Sequence, residues 1–182
     1  VTITGNTADE GGGMRLYYSN PALTHVTITG NTASNSGGGM CLYNSNPILT
    51  NSIIWDNSPE SIYISSGAPI ITYSDIEGGW EGEGNIDIDP LFTDPDSGDY
   101  SLQEGSPCID SGTADIDGDG TDDIIDYAGS APDMGAFEYG ATDDIMLGDT
   151  NFDGTVNILD ILIVVNYIMG NIDFTETEFQ AG

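Results

Sequence analysis

The chain has 182 residues with 31 Asp and Glu, one histidine, and Arg15 as its sole Lys or Arg, giving a formal charge of −30. A surface of that sign excludes nucleic acid, acidic polysaccharide and anionic membrane as partners, because binding them depends on Lys and Arg. Self-repulsion on this scale calls for salt or bound cations, calcium above all since carboxylate oxygens are its preferred ligands.

Taken from the N-terminus, the sequence repeats. VTITGNTA at Val1–Ala8 returns unchanged at Val26–Ala33, and GGGM-x-LY-x-SNP-x-LT runs from Gly11 to Thr24 and again from Gly37 to Thr50. A third, diverged copy is shortened after its asparagine. Aligned in this way, Met14, Met40 and Ile62 form one column, and Leu16, Leu42 and Ile64 another. Leu23, Leu49 and Ile71 follow the prolines Pro21, Pro47 and Pro69, while Ile3, Ile28, Ile54 and Ile76 align, as do Asn6, Asn31 and Asn57.

Short period-two stretches divided by Gly, Asn, Ser and Pro predict strands and turns. Coils of 22 to 26 residues stacked about 4.8 Å apart would pair each strand in parallel with its counterparts. The aliphatic columns then face inward. Thr2, Thr27 and Ile53, or Arg15, Cys41 and Tyr63, face outward. A column of Asn could bond coil to coil through its amides. A β-sandwich shows alternation without such recurrence, and disorder is excluded for most of the length because apolar residues recur in register. These coils resemble those of right-handed parallel β-helix, pectate-lyase-like repeat proteins of bacterial surfaces. The resemblance implies a mainly β fold, with the coils at residues 1–76.

Residues 77–140 carry no repeat. An open stack exposes strand edges and apolar side chains at its end. Leu91, Phe92, Tyr100, Leu102, Ile109, Met134 and Phe137 are therefore expected to form a C-terminal cap. GNIDIDPLFTDPDSGDYSLQEGSPCIDSGT at Gly84–Thr113 and PDMGAFEYG at Pro132–Gly140 are similar to the closing segments of many bacterial β-helix proteins. Within this stretch Asp115, Asp117, Asp119, Asp123 and Asp126, with Gly120 between, have the spacing of a calcium loop with Asp in place of the final Glu. No amphipathic helix follows, so a calcium site and a solvated acidic loop both remain open. Cys41 and Cys108 have no spacing that requires a bridge.

Residues 141–182 hold the most specific motif, GDTNFDGTVNILDILIVVNYIMG at Gly148–Gly170. Asp149, Asn151, Asp153, Asn157 and Asp160 occupy loop positions 1, 3, 5, 9 and 12, Gly154 stands at the sharp turn, and Thr155 can add its carbonyl. An apolar helix is expected behind the loop. Ile158–Met169, interrupted by Asp160 and Asn166, is too short to span a bilayer. The segment resembles the first half of a type I dockerin, an EF-hand-like calcium-binding half-module. That resemblance implies Ca2+ as cofactor and a cohesin-like domain as partner, contacted through Ile158 and Leu159, where many cellulosomal dockerins carry hydroxyl residues. A neighbouring domain could equally be the partner. A second loop is expected after Phe179, upstream coils before Val1, and a half-module left without its partner helix is expected to aggregate or move locally.

Two functions follow from these readings. One is an extracellular, calcium-binding β-helix protein of the bacterial surface, used in attachment or scaffolding. The other is the C-terminal part of a secreted polysaccharide lyase or glycoside hydrolase whose active site lies on upstream coils. Lyases need basic groups beyond Arg15, and hydrolases need paired carboxylates, for which Asp56 and Asp75 are the nearest outward candidates. His25, in a variable column, reads as a surface residue. Trp55 and Tyr63 are the aromatics placed to stack on a carbohydrate.

Overall fold

The computed structural model describes residues 1–141; the helix expected behind Asp160 lies outside them. The first coil carries β1 (Thr2–Thr4), β2 (Thr7–Glu10), β3 (Met14–Tyr17) and β4 (Ala22–Thr24). The second repeats them as β5 (Thr27–Thr29), β6 (Thr32–Ser36), β7 (Met40–Tyr43) and β8 (Ile48–Thr50). The third holds β9 (Ile53–Trp55), β10 (Ile62–Ile64) and β11 (Ile70–Thr72), and β12 (Asp75–Ile76) opens a fourth. Strands of like position pair in parallel, giving a mainly β solenoid of about three turns.

Its register is the alignment read from the repeats. Ile3 pairs with Ile28, Ile28 with Ile54 and Ile54 with Ile76. Met14–Met40–Ile62 and Leu23–Leu49–Ile71 are likewise stacked rungs. Ile28, Met40, Leu42, Leu49, Ile54, Ile71 and Ile76 are all but sealed from solvent and form one continuous core. Each such side chain contributes about 2 kcal/mol through burial. The shortened third copy loses one strand: β2 and β6 form a two-stranded sheet, and only Ser58 bridges to Thr32 beneath it.

The corners are turned by single residues in the left-handed region. Gly5, Gly30 and Asp56 (φ 68, 64 and 53°) form one such column, and His25, Asn51 and Tyr73 (φ 51, 50 and 48°) another. One left-handed residue bends the chain sharply between two extended stretches. What His25, Asn51 and Tyr73 share is thus backbone conformation, which explains why their side chains vary.

The Asn column forms the expected ladder. Asn31 Oδ1 accepts from Asn6 N–H and Nδ2 (both 3.0 Å), and Asn57 Oδ1 does the same for Asn31 (both 3.0 Å). The amide of Asn31 also donates to the carbonyls of Ile3 and Thr29, so one side chain ties two coils. A second ladder runs through Ser52 and Ser74, whose hydroxyls accept from Val26 and Ser52 N–H, and Asn85 Oδ1 continues it by accepting from Ser74 N–H.

The expected cap divides into two parts. Residues 77–88 cover the end. Tyr73 N–H donates to Glu83 O (2.7 Å), Ile86 N–H to Ser74 O and Ile76 N–H to Ile86 O, while Trp80 packs against the core. The remainder, which includes the antiparallel hairpin of β13 (Phe92–Asp94) and β14 (Asp99–Leu102), returns along the side of the stack. Tyr100 Oη bonds Thr4 Oγ1 (2.7 Å), Gly135 N–H donates to Asn51 O (2.9 Å), and Ala136 N–H donates to Thr27 Oγ1 (2.9 Å).

The outward column Thr27–Ile53–Asp75 is therefore buried, where the repeats alone would expose it. Ile53, Leu102, Cys108 and Met134 form a second core with Phe92 and Ile109 against it. Leu91 and Phe137, two of the expected cover residues, stay exposed. Cys41 and Cys108 are both free thiols; one sits on β7, the other in the returning segment. Among the described residues no helix is long and apolar enough to cross a membrane.

Candidate functional site

A chain with one Arg must satisfy its carboxylates by other means, and here backbone N–H groups do so. Asp110 Oδ1 accepts from Ser130 and Ala131 N–H, Asp133 Oδ1 from Asp110 N–H (2.7 Å), and Glu138 from Ala128 and Asp133 N–H. These bonds fold the returning segment onto itself. Burial raises the pKa of Asp133 and of Glu138 above the usual carboxylate range.

The acidic loop that follows Thr113 uses the same device. Asp115 Oδ1 accepts from Gly118 (2.7 Å) and Asp119 (3.2 Å) N–H, and its Oδ2 accepts from Gly120 N–H (2.8 Å). Asp123 Oδ2 accepts from Ile116 N–H (2.9 Å), which closes the loop from the other side. As a result, one oxygen from each of Asp115, Asp117 and Asp123 lies within 4.8 Å of the others. Three hard oxygen donors at that separation suit a divalent cation such as calcium. Of the five acids aligned by spacing, Asp119 and Asp126 do not join them. Asp119 Oδ1 instead accepts from Thr121 N–H (2.8 Å). Among the described residues no helix follows Asp123, so nothing brings Asp126 back to position 12.

The other loop, with Asp149, Asn151, Asp153, Thr155, Asn157 and Asp160, and the partner-facing pair Ile158 and Leu159, lie outside the described residues.

Other singled-out residues are placed differently from their sequence reading. Asp75, an outward acid by alignment, is sealed: Oδ1 accepts from Ile88 N–H (3.2 Å) and Oδ2 faces Cys108 Sγ (3.4 Å). Burial pushes its pKa up to about 7, with Asp87 and Asp89 adding to the effect and the bonds from Ile88 and Cys108 opposing it. Burial and the adjacent Asp75 also raise the Cys108 thiol. His25 is half-buried, with Nε2 3.2 Å from Asn51 Nδ2, and burial lowers its pKa. Tyr63 remains exposed, and Trp55 is half-buried against the second core. The groove beside Trp55, formed with the hairpin, had no counterpart in the repeats, because its far wall comes from non-repeating sequence.

Comparison with known proteins finds a family model towards each end of the chain. Residues 1–82 match the family model described as a right handed beta helix region, and residues 147–181 match that of the dockerin type I domain. No curated protein and no solved structure matches the chain.

Proposed function

For a chain that joins a right-handed β-helix region to a type I dockerin domain, we propose a role in extracellular attachment or scaffolding at a bacterial surface. In this role the solenoid is a rigid spacer and the dockerin segment docks a cohesin-like domain. The match of residues 147–181 to the dockerin model carries this reading. Asp149, Asn151, Asp153, Asn157 and Asp160 are the side-chain oxygens that would hold calcium, with the Thr155 carbonyl as a sixth ligand. Bound there, calcium supplies the positive charge that lets these acids crowd one centre. The loop then holds Ile158 and Leu159 at the head of the expected helix, where they present an apolar contact to the partner.

The cluster of Asp115, Asp117 and Asp123 is a second place for a divalent cation, one that would stiffen the returning segment. The alternative is that the chain closes a polysaccharide-degrading enzyme whose active site lies on upstream coils; among the described residues its carboxylate pair is not formed. Asp75, one of its two acid candidates, is sealed beneath Cys108.

A binding assay tests the docking role. The full chain, immobilised, should retain a type I cohesin domain in millimolar calcium and release it in chelator. Equal retention in both conditions, or none in either, would remove the docking role.

A further inference from the structure

Between the coils and the hairpin of the returning segment lies an open groove of about 320 Å³. We propose that it binds a neutral sugar, taking a pyranose ring against Trp55 with its hydroxyls on Asp56 and Asp89. The groove is distinct from both calcium loops and its argument does not depend on docking.

One wall belongs to the coils. Thr29 and Trp55 are register partners on β5 and β9, and Asp56 follows at the left-handed corner. The other wall is Asp89, Phe92 and Gln103 from the returning segment. Trp55 and Phe92 both pack against the second core, so the indole is held in place before any ligand arrives. A fixed aromatic ring offers a flat apolar face at little entropic cost on binding.

The polar groups around this ring are acceptors left open. Asp56 N–H is taken by Glu77 Oε2 (2.8 Å), yet among the described residues the Asp56 carboxylate accepts no hydrogen bond. Asp89 uses Oδ1 for Leu91 N–H (2.9 Å), which orients the carboxylate, and Oδ2 has no partner among the described residues. Gln103 is anchored by its Nε2, which donates to Phe92 O (2.7 Å), leaving its own carbonyl oxygen as an acceptor.

Ligand classes can be sorted by this chemistry. Phosphate, sulfate or uronate would meet two carboxylates and no basic group in a chain of charge −30, and such like-charge contacts are costly. A purely apolar ligand would strip water from the two carboxylates and offer nothing in return. A neutral sugar satisfies both demands: its hydroxyls donate to carboxylate and amide oxygens, and its C–H face covers the ring. A polyamine would also pair with both carboxylates and set an ammonium on the indole face. It has no acceptor-matching hydroxyl array for the Gln103 carbonyl and no broad C–H face for the ring, however, and it serves as the charged competitor in the test.

The test is a calorimetric titration of the full chain, run in calcium and again in chelator. Probes are the β-1,4-linked tetrasaccharides of glucose, xylose and mannose, with trigalacturonate and spermidine as the charged alternatives. At least one neutral tetrasaccharide should bind with a dissociation constant in the millimolar range or below, in both conditions. Asp56→Asn and Asp89→Asn should each weaken it about tenfold, as loss of a charge-assisted hydrogen bond implies. Asn tolerates the left-handed backbone at residue 56, so Asp56→Asn keeps the fold even if Trp55→Ala does not. The proposal is overturned if no neutral probe binds, if trigalacturonate or spermidine binds more tightly than all of them, or if both Asn variants bind like the parent.

Discussion

The coils and the segment that returns along them solve the same problem, unpaired backbone groups, with opposite chemistry. In the coils the groups are met chiefly by parallel pairing and by neutral amides and hydroxyls, the Asn6–Asn31–Asn57 and Ser52–Ser74 ladders, with Glu60 and Glu77 at single corners. In the returning segment they are met by carboxylates, Asp110, Asp115, Asp133 and Glu138, with Asp75 buried beneath. Neutral ladders do not titrate; buried carboxylates do. Titration should therefore act where the stack meets its covering segment, at Asp75 on β12 and at Asp133 and Glu138 above it.

The largest effect is expected in the ladder. Asn31→Ala removes a buried amide and leaves the Ile3 and Thr29 carbonyls and the Asn6 N–H without their partner, at a cost of about 4 kcal/mol. Asn6→Ala, at the exposed end of the same ladder, should cost about 1 kcal/mol. Urea denaturation of the two variants measures the difference. A smaller loss, about 3 kcal/mol, is expected for Met134→Ala, which opens a cavity over Ile53. Because the coils keep their own core, limited proteolysis should cut this variant first within residues 89–140.

Asp75 supplies the pH test. Its folded pKa of about 7 lies above the ordinary aspartate value of 3.8. The stabilisation from its proton is thus fully present below the lower value and is lost as pH rises through the higher one. Melting temperature should fall between mildly acidic and mildly alkaline pH. Asp75→Asn, which keeps an acceptor for Ile88 N–H, should flatten that dependence and gain about 2 kcal/mol at alkaline pH. An unchanged pH profile in the variant would place the titrating group elsewhere. The smallest effect belongs to the one ion pair of the described residues. Arg15 Nη2 lies 3.0 Å from Glu10 Oε2 with both side chains solvated, so Arg15→Gln should cost less than about 1 kcal/mol, further reduced by salt.

The same contrast explains what could be read from the repeats. In stacked coils the alignment of copies is the strand register, so Ile3–Ile28–Ile54–Ile76 and the Asn ladder follow directly from recurrence. Residues 77–140 have no second copy to align. Their return along the side was signalled only indirectly, by Ile53 and Asp75 in a column that begins with Thr2 and Thr27. An outward isoleucine beside an outward acid asks for cover, which Met134, Cys108 and Leu102 provide. At the acidic loop, spacing aligned five acids and the fold gathers three, since a closing ligand at Asp126 presupposes a helix that Ala128–Pro132 does not form.

Docking rests on calcium uptake by the loop from Asp149 to Asp160, and calorimetric titration with calcium tests it most directly. The parent chain should take up calcium and lose its strongest site in an Asp149→Ala, Asp153→Ala double variant, while Asp115→Ala, Asp117→Ala leaves that site intact. No uptake at millimolar calcium, or a strongest site untouched by the first pair and abolished by the second, would contradict the account.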